Sequence, residues 1–229
     1  MIEIKKLKIS SNSKNLVDIT FTINNSLALI GESGSGKSLT LKAILNLLPN
    51  SLFFEKDIKS DFELNFDTIG FIPQNPFTSL SSMTKIKNQI FCSHEKKEET
   101  FSLLNLPLDI LEKYPSQISG GQIQRVVIAI AISRNIKLLL LDEPTTALDF
   151  ENKINIINII RDLQKNLNIK ILFVTHDIES IRDICEDTAI IKNGKIIEFG
   201  KTIDVLTNPE DTYTKKLLDS SFRNKKFRT

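Results

Sequence analysis

Cysteine is scarce in this chain: Cys92 and Cys185 stand far apart, with no second cysteine at metal-ligand spacing. That argues against a disulfide framework and a structural zinc site, and it suits a reducing, intracellular setting. Long apolar runs are also missing. No stretch approaches the ~20 residues that span a bilayer, and the start after Met1, Ile-Glu-Ile-Lys-Lys, is not a signal peptide pattern. The expectation is a chain that is soluble or held to a membrane by a partner. An excess of one charge is absent too. Lys and Arg number 30 against 28 Asp and Glu, so no basic field supports nucleic-acid binding. There are no internal repeats or long linkers. What remains is 229 residues with 41% apolar side chains, ample for a buried core in one large domain or two small ones.

Against these absences one segment stands out. Gly31, Glu32, Ser33, Gly34, Ser35, Gly36, Lys37 and Ser38 spell G-x-x-x-x-G-K-[ST], between the apolar run 27–30 and a helical pattern that begins at Leu39. Glycines let successive backbone N–H groups turn inward around phosphate oxygens, and the positive end of the following helix adds to them. Lys37 is placed to reach the outer phosphates and Ser38 to hold Mg²⁺. GTPases, kinases, motor ATPases and transport ATPases all carry such a loop, so the choice falls to the rest of the chain.

Ile2, Ile4, Leu7 and Ile9, then Val17, Ile19, Phe21 and Ile23, predict two short half-buried strands. A helix is predicted from the loop to about Leu48, stopped by Pro49-Asn50. Phe62, Leu64 and Phe66 alternate with polar residues and predict a further strand, followed by one over 69–72. The pattern from Thr84 to Lys113 is helical with a break at Pro107; a buried helix over 122–133 and an apolar strand over 137–141 follow. A helix through Ile154, Ile157, Ile160 and Leu167 precedes a buried strand over 171–174, and Asn193-Gly194 signals a hairpin. The layout is α/β, with a mostly parallel central sheet, an antiparallel β portion near the start and a helical insertion in the middle.

Two further motifs bear on chemistry. Asp142-Glu143 follows the apolar run 138–141, so two carboxylates sit at the end of a buried strand, on the sheet edge that a phosphate loop also occupies. Asp142 is a metal-site carboxylate and Glu143 a general-base candidate, the plain alternative being a solvated strand end. Ser119-Gly120-Gly121-Gln122 precedes a helix and offers small residues and a helix N-terminus to an anion, unless it is a simple Gly-Gly turn.

The run 114–125, Tyr-Pro-Ser-Gln-Ile-Ser-Gly-Gly-Gln-Ile-Gln-Arg, followed by the Asp142-Glu143 strand, resembles the signature segment of ABC (ATP-binding cassette) ATPases. The resemblance runs in order along nearly the whole chain. Gln74 in Phe71-Ile-Pro-Gln matches the family's Q-loop, Ala147-Leu148-Asp149 its D-loop and His176 its switch histidine. A GTPase guanine reader is not matched, because Asn152-Lys153-Ile154-Asn155 lacks the required Asp. The resemblance implies a P-loop NTPase fold with a core lobe over about 1–83 and 134–219, a helical subdomain over about 84–133 and a basic tail over 220–229. It also implies two cassettes paired head to tail around two ATP molecules. Each ATP would be held by the phosphate loop of one subunit, with Leu39 beside it, and by Ser119, Gly120, Gly121 and Gln122 of the other. Lys37 would neutralise phosphate charge, Ser38 and Gln74 would coordinate Mg²⁺ with support from Asp142, and Glu143 would polarise the attacking water. His176 would contact the γ-phosphate, and Asp149 would communicate across the dimer. The aromatic residue on which the family stacks adenine is absent from 9–18, which leaves Ile9, another aliphatic side chain or a residue outside this window to cover the base.

A single cassette without a membrane span resembles a bacterial import subunit. The resemblance implies a place on the cytoplasmic face of the membrane and two transmembrane permease subunits. A solute-binding protein would act indirectly, and no nucleic acid is expected. The stretch 74–80, the Tyr-Pro before the signature, and Asn208-Pro-Glu-Asp-Thr-Tyr-Thr-Lys-Lys-Leu-Leu resemble the peptide and nickel importer branch. Ser38-Leu39-Thr40 and Leu47-Leu48-Pro49 resemble its nickel-type members, and the cysteine-bearing C-terminal extension of longer peptide-importer cassettes is not present. The expected cargo is nickel or a related metal chelate, with oligopeptide or dipeptide as the alternative and a non-transport ABC module behind both. Arg223, Lys225, Lys226 and Arg228 suggest a solvated tail or attraction to anionic lipid.

Overall fold

Strand β1 (Ile2–Ser11) buries Ile2 and Ile4 and then Leu7 and Ile9, a change of parity that a regular strand cannot make on one face. A register shift between Ile4 and Leu7 resolves it: a bulge inserts the extra residue, so both pairs reach the core. β2 (Lys14–Ile23) pairs antiparallel with β1, Ile4 opposite Phe21 and Leu7 opposite Ile19. These coordinates are a computed structural model that describes residues 1–12, 14–146 and 148–223. The chain divides into two compact units, one from Met1–Glu63 together with the chain from Lys170 onward, the other Leu64–Ile169. Ala147 and the basic Lys225, Lys226 and Arg228 lie outside the described residues.

In the first unit β3 (Ser26–Ile30) is buried along its whole length and leads through the loop 31–36 into α1 (Lys37–Ile44). The helix ends before the expected Leu48. Asn46 adopts a left-handed φ of 57°, Leu47 N–H bonds back to the Lys42 carbonyl at 2.8 Å, and Asn46 N–H bonds to that of Ala43 at 3.2 Å. This pair of bonds closes a helix by itself, without waiting for Pro49. β4 (Phe53–Ser60) then pairs antiparallel with the free side of β1, giving the order β2-β1-β4. The expected strand through Phe62, Leu64 and Phe66 does not form. Asn65 turns the chain there, its side-chain oxygen accepting the N–H groups of Asp67 at 3.0 Å and Thr68 at 3.2 Å.

In the second unit β5 (Ile69–Ile72) is followed by a helical region shorter and more broken than the pattern from Thr84 predicted. Residues Ile86–Asn88 make only a 3-10 turn, and α2 (His94–Leu103) starts where Ser93 accepts the N–H of Lys96. α3 (Gly120–Ile132) packs on β5, and β6 (Leu138–Asp142) runs parallel to β5 with Ile72 opposite Leu141. α4 (Phe150–Leu167) closes the unit and ends at Asn168, again left-handed at φ 49°.

The chain then returns to the first unit. β7 (Lys170–Thr175) and β8 (Asp187–Lys192) run parallel to β3, one on each side, and β9 (Lys195–Lys201) returns antiparallel to β8. α5 (Thr202–Thr207) and α6 (Thr212–Arg223) follow. Leu27 and Leu29 of β3, which has a neighbour on each edge, and Leu172 and Val174 of β7 are fully buried, each worth about 1.5–3 kcal/mol of transfer free energy. Such strands read as continuous apolar runs instead of alternating ones. Among the described residues no helix is long and apolar enough to cross a membrane.

The β8–β9 turn has the predicted Asn193-Gly194, with φ of 48° and 75°. A Cβ on Gly194 would collide with the Leu16 carbonyl oxygen in a backbone conformation that side chains already disfavour. Gly194→Ala is expected to cost at least about 2 kcal/mol in urea denaturation. A change within about 0.5 kcal/mol, the scale of an uninvolved surface site, would show that the turn is not held there.

Candidate nucleotide site

The phosphate loop begins where β3 ends, between Thr175 of β7 and Ile190 of β8. Gly36 caps α1 with a left-handed φ of 110°, and its carbonyl accepts both the Thr40 N–H at 2.9 Å and the Thr40 hydroxyl at 3.0 Å. Lys37 is 5% exposed and folds over its own loop, donating to the carbonyls of Gly31 at 2.7 Å and Glu32 at 3.0 Å. A buried ammonium without partners would be costly, so these carbonyls hold it in place over the loop. From outside, Gly194 N–H donates to the Ser35 carbonyl at 2.9 Å and Glu32 N–H donates to the Tyr213 hydroxyl at 3.2 Å. The Ser35 hydroxyl is buried without a hydrogen-bond partner. An unsatisfied buried hydroxyl in a glycine loop fits a site shaped for the oxygens of a phosphate ligand. Ser38 is exposed on the first turn of α1 and Leu39 is half-buried behind it.

His176 lies one residue beyond β7 and is exposed. Because Thr175 pairs with Ile30, His176 leaves its strand beside the point where Gly31 leaves β3. The residue after it is fixed: Asp177 N–H bonds the Thr175 hydroxyl at 2.9 Å, and the Asp177 carboxylate accepts from Ser180 at 2.6 Å and from Glu179 N–H at 3.2 Å. Ile9 cannot cover an adenine ring. It is fully buried, opposite Val17 on one side and Phe54 on the other, because the bulge in β1 turns it to the core.

The second unit assembles the remaining motif residues. β5 and β6 end side by side, and Gln74 Nε2 lies 3.4 Å from Glu143 Oε2. Thr146 donates to the same carboxylate oxygen at 3.0 Å. Asp142 and Glu143 are both half-buried, and Glu143 has a left-handed φ of 48°, a conformation that costs an L-residue roughly 1–2 kcal/mol. Ser119 and Gln122 form a capping box at the start of α3: the Ser119 hydroxyl accepts Gln122 N–H at 3.3 Å, and the Gln122 side chain accepts Ser119 N–H at 2.9 Å. Gly120 and Gly121 form the first turn of α3, where Phe77 would lie 3.2 Å from a Cβ placed on Gly120. Asp149 caps α4, accepting from Asn152 N–H at 2.9 Å and from its side chain at 2.8 Å. Those bonds hold its carboxyl below the ordinary range.

Two residues without a role in the sequence reading prove central to these geometries. Tyr213 belongs to the quoted 208–218 element, but nothing in its spacing names a partner. Gln124 is 2% exposed and donates to the Pro144 carbonyl at 2.6 Å, tying α3 to the turn that carries Glu143. Gln74, Phe77, Gly121, Gln124, Pro144 and Asn152 line a cavity of about 360 Å³ beside that bond.

A glycine loop running from a parallel strand into a helix, with paired carboxylates closing another parallel strand, defines the class of P-loop nucleotide hydrolases. Within that class, a family profile described as ABC transporter matches residues 15–146, and the chain belongs to this family of ATP-hydrolysing cassettes. An oligopeptide transport ATP-binding protein, OppD, of Bacillus subtilis is 35% identical over 255 residues, covering 96% of this chain and 71% of that protein. The metal-staphylopine import system ATP-binding protein CntD of Staphylococcus aureus is 33% identical over 230 residues, covering 89% of this chain and 85% of its own. A dimeric ATP-binding cassette in a post-hydrolysis state, bound to ADP and Pi, superimposes with a TM-score of 0.71 at 25% identity, over 88% of this chain and 99% of that one.

Truncating Gln124 to Ala leaves the Pro144 carbonyl without its partner. The expected loss is about 1–3 kcal/mol of unfolding free energy by urea titration. An unchanged midpoint would mean that the α3 bond does not hold the Glu143 turn.

Proposed function

We propose that this chain is the ATP-hydrolysing subunit of a bacterial ABC importer, seated on the cytoplasmic face of the membrane and coupled to two permease subunits. The observation that carries the reading is the presence in one chain of the phosphate loop, the Ser119-capped helix and the Asp142-Glu143 strand end, in a sequence whose relatives are named as transport and import-system ATP-binding proteins. A second cassette, a copy or a sister subunit, completes each ATP site, as the dimeric structural relative supports. A solute-binding protein acts upstream of the permease.

Positioning and charge do the work. Lys37 neutralises the outer phosphates, and the loop peptides with Ser33, Gly34 and Ser35 cradle them. Ser38, Gln74 and Asp142 offer the hard oxygen donors that suit Mg²⁺, which supplies charge neutralisation on the phosphates when bound. Glu143 accepts the proton of the attacking water, and its left-handed backbone together with the Thr146 bond fixes the direction of its carboxylate. His176 contacts the γ-phosphate from the end of β7. Ser119, Gly120, Gly121 and Gln122 meet the partner's nucleotide, and Asp149 communicates across the dimer.

For cargo, relatives named for oligopeptide and dipeptide transport favour a short peptide, and the metal-staphylopine relative supports a metal chelate. The peptide therefore leads, and nickel or a related chelate stands second.

Glu143→Gln is expected to keep ATP binding while lowering the hydrolysis rate by about 10²-fold or more in a phosphate-release assay. Retention of most of the wild-type rate would remove Glu143 from the role of base. For the cargo, a deletion strain is expected to lose uptake of labelled di- or oligopeptide and to keep nickel accumulation. The opposite pattern would restore nickel as the cargo.

A further inference from the structure

Helix α6 reaches the phosphate loop through the Tyr213 hydroxyl, which accepts the Glu32 N–H at 3.2 Å. We propose that Tyr213 is a positioning residue for the phosphate loop, setting nucleotide affinity by holding the Glu32 peptide. The inference rests on the assignment of the loop 31–38 to the phosphates made above.

Glu32 is the second residue of the loop, and its peptide groups are fixed on both sides. Its carbonyl accepts from Lys37 Nζ at 3.0 Å and from Ser35 N–H at 3.2 Å. Its N–H donates to Tyr213, which lies 181 positions further along the chain. Because that N–H is committed to a tyrosine, the donors that meet phosphate lie further along the loop, and the Tyr213 bond fixes the peptide from which they start. The tyrosine is itself rigidly held. Its ring is 8% exposed and lies beneath Lys192 of β8, whose ammonium is 4.5 Å from the ring centroid. Its own N–H donates to the Asp211 carboxylate at 2.7 Å. The segment just before it is pinned to β9, where the Glu198 carboxylate accepts the N–H groups of Glu210 at 2.8 Å and Asp211 at 3.2 Å. Burial pushes the phenol up from its ordinary pKa, so it stays a neutral hydroxyl at physiological pH and accepts the Glu32 N–H without placing a negative charge beside the phosphates.

A brace of this kind acts alike on ground state and transition state, because Tyr213 is bonded to the loop and not to the reacting phosphate. Its loss therefore belongs in affinity and not in turnover. A residue that merely packed α6 would lower the melting temperature and the active fraction while leaving affinity unchanged.

The test compares the full chain with Tyr213→Phe, which keeps the ring and its Lys192 contact and removes the hydroxyl. ADP dissociation constants are measured by titration calorimetry, ATP kinetics by phosphate release, and melting without nucleotide. One backbone hydrogen bond predicts an ADP Kd and an ATP KM raised about three- to tenfold, with kcat changed by less than about twofold. Glu198→Ala, which leaves the tyrosine in place and releases the segment before it, is expected to shift the ADP Kd in the same direction by a smaller factor. If neither variant moves the ADP Kd, or if kcat falls at constant KM, the proposal is overturned. Lys37→Ala separates this from failure of the underlying reading. Undiminished ADP binding in that variant would remove the loop as the phosphate site, whereas lost binding there beside an unchanged Tyr213→Phe would overturn the brace alone.

Discussion

A loop that must present peptide N–H groups to an anion cannot also satisfy its own backbone, and much of the first unit is organised around that conflict. Each buried peptide group needs a partner. The carbonyls of Gly31 and Glu32 take Lys37, that of Gly36 takes Thr40, that of Ser35 takes Gly194, and the N–H of Glu32 takes Tyr213. Lys37 and Thr40 are local partners, as is the Ser35 N–H on the Glu32 carbonyl. Gly194 and Tyr213 come from the β8–β9 hairpin and from α6, so the last part of the chain completes a loop laid down near its start. Flanking β3 by β7 and β8 gives the same result at the level of the sheet, since both neighbours arrive after residue 169.

The second unit meets a related problem at a strand end. Glu143 pays roughly 1–2 kcal/mol for its left-handed backbone. The bond from Gln124 to Pro144, and those from Thr146 to the Glu143 carboxylate and carbonyl, each of order 1 kcal/mol net, together offset that cost. Because Gln124 stands five residues after Ser119 on α3, the helix whose start is assigned to a partner's nucleotide also holds the turn assigned to catalysis. The caps at Ser119 and Asp149 make both helix starts rigid supports for that geometry.

What could be read from the sequence divides along physical lines. Strands buried along their length, or on one face, announced themselves by composition or alternation: β1, β2, β3, β6 and β7 lie where apolar residues predicted. The Asn193-Gly194 turn was legible because few residues tolerate two successive positive φ angles. β4 was not legible. It is an outer strand whose side chains are mostly exposed, with Glu55, Lys56, Asp57 and Lys59 along it, so its few apolar residues do not alternate as those of a half-buried strand do. Phe62, Leu64 and Phe66 showed the code without the strand, because the Asn65 side chain takes over the local N–H groups. Ile9 was misjudged because a bulge changes which parity faces inward. The motif residues were legible as a set, but Gln124 and Tyr213 act through partners 20 and 181 positions away, and no local pattern records such a pairing.

The left-handed backbone at Glu143 has a consequence for how this chain can change. Glycine adopts that conformation without the steric cost a glutamate bears, and asparagine with less of it. A lineage or a laboratory screen that rewards heat resistance alone would therefore be drawn to replace this carboxylate. Under the role proposed for Glu143, that replacement would relax the backbone there, forfeit the Thr146 bond to the carboxylate and lower nucleotide turnover. In that role, an acid at this position sets chemistry against the grain of folding.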